Sequence, residues 1–274
     1  MEIIKAIIFG IIEGVTEWLP ISSTGHLILL NEFLKLNVSN DFYKMFEVVI
    51  QLGAIMAVVI IFWKQICPIY IENDHFKVSK DVISLWGKII VACIPAAVIG
   101  ILFDDWLDEH LYTSVVVSIA LIVYGIVFIV IESKNIGSRE VNELSDISYK
   151  QALGIGGFQL LSLIPGTSRS GSTIIGGLLL GLERSVAAEF TFFLAIPVMF
   201  GASLLKLVKY ILKVGFVFGG LELAILGVGC AVSFIVSLFV IKFLLNYIRK
   251  HDFKIFGWYR IILGIIVLLY FWLF

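Results

Sequence analysis

The chain has 274 residues, 60% of them hydrophobic and 15% charged, with a formal net charge of −1 and a mean hydropathy of +1.04. No soluble domain of this length carries so little polar surface, so a polytopic membrane protein is expected. The near-neutral charge gives no footing for a nucleic-acid partner, and the apolar runs are continuous rather than alternating, which excludes a barrel.

In chain order, the first apolar region is Ile3–Leu34, interrupted by Pro20-Ile21-Ser22-Ser23-Thr24-Gly25-His26. Each piece is too short or too polar to cross a bilayer alone, which predicts a re-entrant helical hairpin. No small-residue cleavage site follows Leu19, so no cleavable leader is expected. Spanning helices are predicted near Phe42–Trp63, Ile83–Phe103 and Val115–Ile131, each close to the about 20 residues a crossing needs. Asp104–His110 is expected as an acidic loop, and the polar segment Glu132–Lys150 as a linker. The second interrupted region, Ala152–Leu182, is broken by Pro165-Gly166-Thr167-Ser168-Arg169-Ser170-Gly171 and predicts a second re-entrant hairpin. Three further spans are predicted near Ala187–Leu207, Phe216–Ile241 and Gly257–Phe274.

The expected fold is therefore an all-α membrane domain over 1–274. Repeat one covers about 1–131, the linker about 132–150 and repeat two about 151–274. An odd number of spans per repeat turns the second upside down, an inverted-topology arrangement that delivers the two hairpin tips to each other. Glu47 with its apolar run matches Glu189 followed by Phe190-Thr191-Phe192-Phe193-Leu194. Asp104–His110 has four acids and no Lys or Arg, whereas the segments holding Lys64, Lys77 and Lys80, then Lys134, Arg139 and Lys150, then Arg249, Lys250 and Lys254 are basic. Placing the basic segments inside puts both termini outside, with Lys209 and Lys213 against the trend. Cys67, Cys93 and Cys230 have no metal or redox spacing and read as small apolar-segment residues. Trp63, Trp106 and Trp258 read as interface anchors.

Glu13 and Glu17 are four apart and share a helix face. A charged carboxylate at mid-membrane costs about 2.5–3.5 kcal/mol on insertion scales, so this pair must look into a wet or protein-lined cavity or sit at a solvated helix end. In a cavity they are oxygen ligands for a divalent cation meeting substrate phosphates, or one carries a proton. After Pro20 ends the first helix, Ser22 or Ser23 caps the next, and exposed amides there suit an anion. Ser23 and His26 are three apart, which allows a serine nucleophile with a histidine base, or His26 as the acid at a leaving oxygen.

In the second loop, Arg169 offers a planar fork of donors that matches phosphate, with Ser168, Ser170 and Thr173 as flanking hydroxyls and Gly171 allowing close backbone approach. A structural pairing of Arg169 with Glu13, Glu17 or Glu189 is the alternative. His75, His110 and His251 read as solvated. Arg260, Glu222, Glu189, Glu47 and Lys88 lie in or near spans and are candidates by location, Arg260 and Glu47 foremost.

Three stretches now carry a resemblance that extends over nearly the whole length. Glu13-Gly14-Val15-Thr16-Glu17 with Leu19 to His26, Phe46-Glu47-Val48-Val49-Ile50-Gln51-Leu52-Gly53, and Pro165 to Gly171 with Thr173 are similar to the undecaprenyl-diphosphate phosphatase family of bacterial inner membranes, also called bacitracin-resistance proteins. The resemblance implies hydrolysis of undecaprenyl diphosphate to the monophosphate and inorganic phosphate, recycling the lipid carrier for envelope polymers. It also implies a divalent cation (magnesium or calcium), a homodimer, an active site opening to the outer side and bacitracin resistance. On these residues the expected catalytic set is Glu17, Ser23, His26 and Arg169. Ser22, Thr24, Gly25, Ser168, Ser170, Gly171 and Thr173 are expected to bind substrate, and Glu13 and Glu17 to hold the metal. Two rivals differ in testable ways. A transporter fits inverted repeats and broken helices but needs no Ser23–His26 pair beside an arginine loop. Lipid phosphatases of the phosphatidic-acid type need a His soon after Ser-Arg, whereas none follows Ser168-Arg169 before His251.

Overall fold

The structure is a computed structural model and describes residues 1–72, 75–111, 113–137, 139–216 and 218–273, with the side chains of 72, 104, 105, 108 and 273 outside the description. The first hairpin is built from α1 (Glu2–Thr16) and α2 (Ser23–Phe33). The segment between them doubles back at Leu19–Ile21, and Ser22 enters the left-handed region at φ 75 to start α2. Next, α3 (Asn40–Val49), capped by Ser39, and α4 (Gln51–Ile61) meet at Ile50 and together form the first long apolar crossing, Asn40–Ile61. A single turn, α5 (Trp63–Ile66), leads into two antiparallel strands, β1 (Ile69–Glu72) and β2 (His75–Val78), with Ile69 opposite Val78 and Ile71 opposite Phe76. This hairpin departs from an all-α fold. Its β-branched and aromatic residues are too few for a span, and they pair between two short strands instead.

The rest of the first half is α6 (Lys80–His110) and α7 (Ser114–Ser133). Asp104–His110, expected as a loop, is the last part of α6. No Gly or Pro follows Gly100 to stop the helix, which closes on the Leu111 amide bonded to Leu107. In the second half, a capping box between Ser148 and Gln151 starts α8 (Tyr149–Gln159), which tightens into a 3-10 turn, Leu160–Leu163. After the loop comes α9 (Arg169–Leu179), then α10 (Arg184–Val214), α11 (Gly220–Ile248) and α12 (Lys254–Leu273). The fourth and fifth crossings depart from expectation, the fifth ending at Ile248 rather than Ile241. The fourth crossing runs past Leu207 until Gly215, at φ 98, ends it in a left-handed C-cap. The fifth starts at Gly220 rather than Phe216, because the Glu222 carboxylate accepts from the Gly219 amide at 3.0 Å and fixes the first turn there.

Among the described residues, six helical segments are thus long and apolar enough to cross a membrane: 40–61, 80–103, 114–133, 184–214, 220–248 and 254–272. The chain is a mainly helical, multi-pass membrane protein. Helix α1 packs along α11, α8 along α6, and α7 along α12, while α4 meets α11 and α6 meets α10. Small residues set these distances. A Cβ at Gly10 or Gly14 would come within 2.7 Å of the Gly229 carbonyl or 2.8 Å of the Ser233 carbonyl, so α1 and α11 touch backbone to backbone. The main core packs aliphatic side chains around aromatic contacts: Trp18 meets Phe192 edge-on at 5.3 Å, and Phe62 meets Phe193 at 5.1 Å. At one end, buried Glu132 takes Arg184 through Nε at 3.0 Å and Nη2 at 2.7 Å, and Arg139 at 2.8 Å, tying the linker to the starts of α10 and α12.

Candidate active site

The two polar loops adopt the same local geometry. Ser22 and Ser168 have φ of 75 and 72, and each caps the helix it precedes by accepting from a glycine amide three residues on: Gly25 at 3.3 Å and Gly171 at 3.1 Å. A left-handed serine is strained, so the turn is held by its surroundings. Gly166, at φ 90, lets the second loop pass close under α7, since a Cβ there would lie 2.5 Å from the Val117 carbonyl.

An ion pair joins the halves. Arg169 Nη2 donates to Glu17 Oε1 at 2.9 Å, with Arg169 only 11% and Glu17 only 6% exposed, and Nη1 donates to the Thr191 carbonyl at 3.0 Å. Of the acids the sequence offered as partners, Glu17 is the one that meets it. The other carboxylate oxygen of Glu17 accepts from Ser23 Oγ at 2.5 Å. Ser170 Oγ donates to the Glu17 carbonyl at 3.1 Å, and Thr173 Oγ1 to the Arg169 carbonyl at 2.9 Å while accepting from Thr191. Each of these hydroxyls therefore braces one loop or the next.

Behind the loops, Arg260 of α12 is fully buried. Its Nη1 donates to the Pro20 carbonyl at 3.0 Å, and its Nη2 to the Gly166 and Thr167 carbonyls, both at 2.8 Å. The neighbouring Tyr259 hydroxyl lies 2.7 Å from His26 Nε2, and His26 Nδ1 lies 2.7 Å from the Ser22 carbonyl. A carbonyl only accepts, so Nδ1 carries the proton, and in the neutral ring Nε2 accepts from Tyr259.

In front of the loops lies a cavity of about 210 Å³. Glu17, Ser22, Ser23 and Thr24 line it from the first half and Ser168 and Arg169 from the second. Its wall includes Gln51 of α4, Ser162 of the 3-10 turn and Lys206 of α10. Glu13, Gly25, His26, Ser170, Gly171 and Thr173 stand outside this lining, Glu13 completely buried. Neither Glu13 carboxylate oxygen has a hydrogen-bond partner among the described residues, and the charges acting on it are those of Glu17, Glu47 and Arg169. Bare, buried carboxylate oxygens beside a second carboxylate suit a hard cation, so the residues fit a divalent metal. No cluster of three or more His, Cys, Asp or Glu among the described residues is placed to hold one, which would leave the remaining ligands to water and substrate. A second cavity, about 410 Å³, lies toward the opposite end of α10; Asp81, Glu143 and Glu189 line it and make it unsuited to an anion.

Sequence reasoning did not single out Lys206, Gln51, Tyr259 or Thr191. A lysine at the end of an apolar span was the available signal for Lys206, and Gln51 lay within a motif already quoted. Thr191 likewise lay within a stretch already quoted, for its repeat match only, and Tyr259 carried no signal, because its partner His26 is far away in sequence.

Fold and site together define a multi-pass helical membrane protein that draws two hydroxyl-rich loops around a small cationic and acidic cavity. Residues 6–266 match the family model for the bacitracin resistance protein BacA, and the chain belongs to that family. It is 60% identical to an undecaprenyl-diphosphatase of Enterococcus faecalis, over 98% of this chain and 97% of the relative. It is 61% identical to one of Desulfitobacterium hafniense, over 99% and 96%, and 58% identical to undecaprenyl-diphosphatase 1 of Clostridioides difficile, over 100% and 97%.

Proposed function

We infer that this chain hydrolyses undecaprenyl diphosphate to undecaprenyl phosphate and inorganic phosphate, recycling the lipid carrier of envelope synthesis and conferring bacitracin resistance. Family membership and the names of the relatives support the substrate. The observation that carries the chemistry is the Glu17 carboxylate, shared between Ser23 and Arg169 on the wall of one cavity. At about 210 Å³ the cavity falls below the ~300–1,000 Å³ of sites that enclose a whole ligand. It suits a diphosphate headgroup and leaves the isoprenoid tail among the spans and lipid.

In this reading, Arg169 turns its fork from Glu17 and the Thr191 carbonyl to the terminal phosphoryl group, and Lys206 adds charge at the rim. Released from Arg169, Glu17 takes the proton of Ser23 as Oγ bonds to phosphorus. The anhydride P–O bond breaks, and undecaprenyl phosphate leaves with the bonding pair. Water then attacks phosphorus, the Oγ–P bond breaks, and Glu17 returns its proton to Oγ; phosphate departs and one proton passes to solvent. Exposed loop amides, Ser22, Thr24 and Ser168 orient the phosphates, while Gly25, Ser170, Gly171 and Thr173 keep the loops in shape. His26, directed to Ser22 and Tyr259, holds the first loop. A magnesium or calcium ion held by Glu13 and Glu17 would neutralise charge on the phosphoryl and leaving oxygens.

The same proposal includes an inverted repeat of two re-entrant hairpins and two sets of three spans. Exchanging the halves turns α1 on α11 into α8 on α6, turns α11 on α4 into α6 on α10, and leaves α7 on α12 unchanged, which supports it. Helices α1, α2, α8 and α9, of 15, 11, 11 and 11 residues, reach at most about 22 Å, short of the ~30 Å hydrocarbon core. The protein lies in the bacterial inner membrane as a homodimer, with both termini outside. Residues 198–206 of α10 line the cavity, and the start of that helix is clasped to the basic linker; with the linker inside, the cavity opens outward. Purified protein in detergent, given undecaprenyl diphosphate with magnesium or calcium, should release inorganic phosphate. No release under either metal would reject the enzyme and bring the transporter forward.

A further inference from the structure

Arg260 is completely buried, and none of the described ion pairs involves it. A guanidinium in such a place is costly unless its donors are met. Here three backbone carbonyls meet its Nη groups, one from the first loop and two from the second, while Nε has no partner among the described residues; the face of Tyr124 lies 5.5 Å from its Cζ. One rigid plane therefore touches both loops. Gly171 backs onto it: a Cβ there would lie 3.0 Å from Nη1, so the glycine makes room for the cation. The preceding residue, Tyr259, reaches His26 on the first turn of α2. Two consecutive residues of α12 thus hold the tips of both halves from behind.

We propose that Arg260 is a positioning residue for hydrolysis: its guanidinium fixes the spacing between the two loops, and with it the placement of Ser23 against Arg169. The proposal rests on the cavity being the hydrolytic site. Arg260 does not line that cavity, and both its Nη atoms face carbonyls, so it acts on alignment rather than on substrate. A lysine keeps the charge but cannot present the planar fork that spans carbonyls of two loops. A misplacement of about 1 Å costs on the order of 10²-fold in rate.

The test compares full-length wild type, Arg260→Lys and Arg260→Ala in detergent. Monodispersity and melting temperature are measured alongside kcat and KM for phosphate release per folded molecule. Arg260→Lys should lose about 100-fold in kcat while KM stays within about threefold, and Arg260→Ala should regain part of its rate when guanidinium ion is added. A merely structural residue would lower yield and melting temperature and leave kcat per folded molecule intact. That result, or a loss confined to KM, overturns the proposal. Should the Arg260 variants not fold, Tyr124→Leu and Tyr124→Phe decide. Tyr124→Leu, which removes the ring under the guanidinium, should have a kcat at least about threefold below Tyr124→Phe at equal KM, and equal rates overturn the proposal. Wild type without turnover would instead sink the hydrolytic reading, whereas active wild type matched by Arg260→Lys sinks only the positioning role.

Discussion

Arg169→Ala is the most informative single perturbation, because one guanidinium serves both the proposed chemistry and the junction between the halves. Loss of one donor aimed at developing charge costs about 10²–10³ in kcat, and an arginine on a transferring phosphoryl group is worth about 10³–10⁵. With two Nη groups at the cavity, we expect kcat to fall at least about 10³-fold, or ~4 kcal/mol at 1.36 kcal/mol per tenfold. The same change strands Glu17, which is 6% exposed, and breaking a buried pair costs about 3–5 kcal/mol of stability. Activity loss alone would therefore be ambiguous. The companion is the double variant Glu17→Gln, Arg169→Met, which removes both charges and should recover most of the lost melting temperature while recovering none of the rate. The assay is phosphate release from undecaprenyl diphosphate, normalised to monodisperse protein. If Arg169→Ala turns over within tenfold of wild type, or if the double variant regains both stability and rate, Arg169 has no role at the phosphoryl group.

Glu17→Gln should cut kcat by about 10²–10⁴ and flatten the dependence on magnesium or calcium; an unchanged metal titration would place the cation elsewhere. Ser23→Ala should abolish turnover and, after acid quenching with substrate labelled in its terminal phosphate, leave no label on the protein, whereas wild type retains some. Turnover within tenfold of wild type would make water the nucleophile. Lys206→Gln should raise KM about tenfold with kcat nearly kept, since the lysine lines the cavity and has no part in the proposed proton transfers. It should also weaken the salt dependence of kcat/KM, as loss of a steering charge requires, and a KM insensitive to the change would exclude contact with the headgroup.

The order of crossings and interrupted regions was legible in the sequence because a bilayer imposes length: every predicted span overlaps an observed one. Both loops were legible as well, since hydroxyls, a histidine and an arginine within hydrocarbon-rich sequence are too costly to keep without use. The β-hairpin was missed because Ile69–Glu72 and His75–Val78 are only four residues each, and short runs do not reveal their period. What the sequence left open was register. Glu13, Glu17 and Glu189 were equal candidates for Arg169, and only the backbone contact of α1 with α11, set by Gly10 and Gly14, gives the junction to Glu17 and leaves Glu13 bare. His26 stood beside Ser23 in one dimension, but its ring meets Tyr259 of α12, and it is Glu17 that meets the serine. Arg260 was flagged only as a charge in a span. Its three carbonyl partners lie far away in the chain, and side chains so separated meet only where tertiary packing brings their backbones together. The sequence by itself thus determined which groups must leave lipid, and the packing of the halves decided which of them face one another.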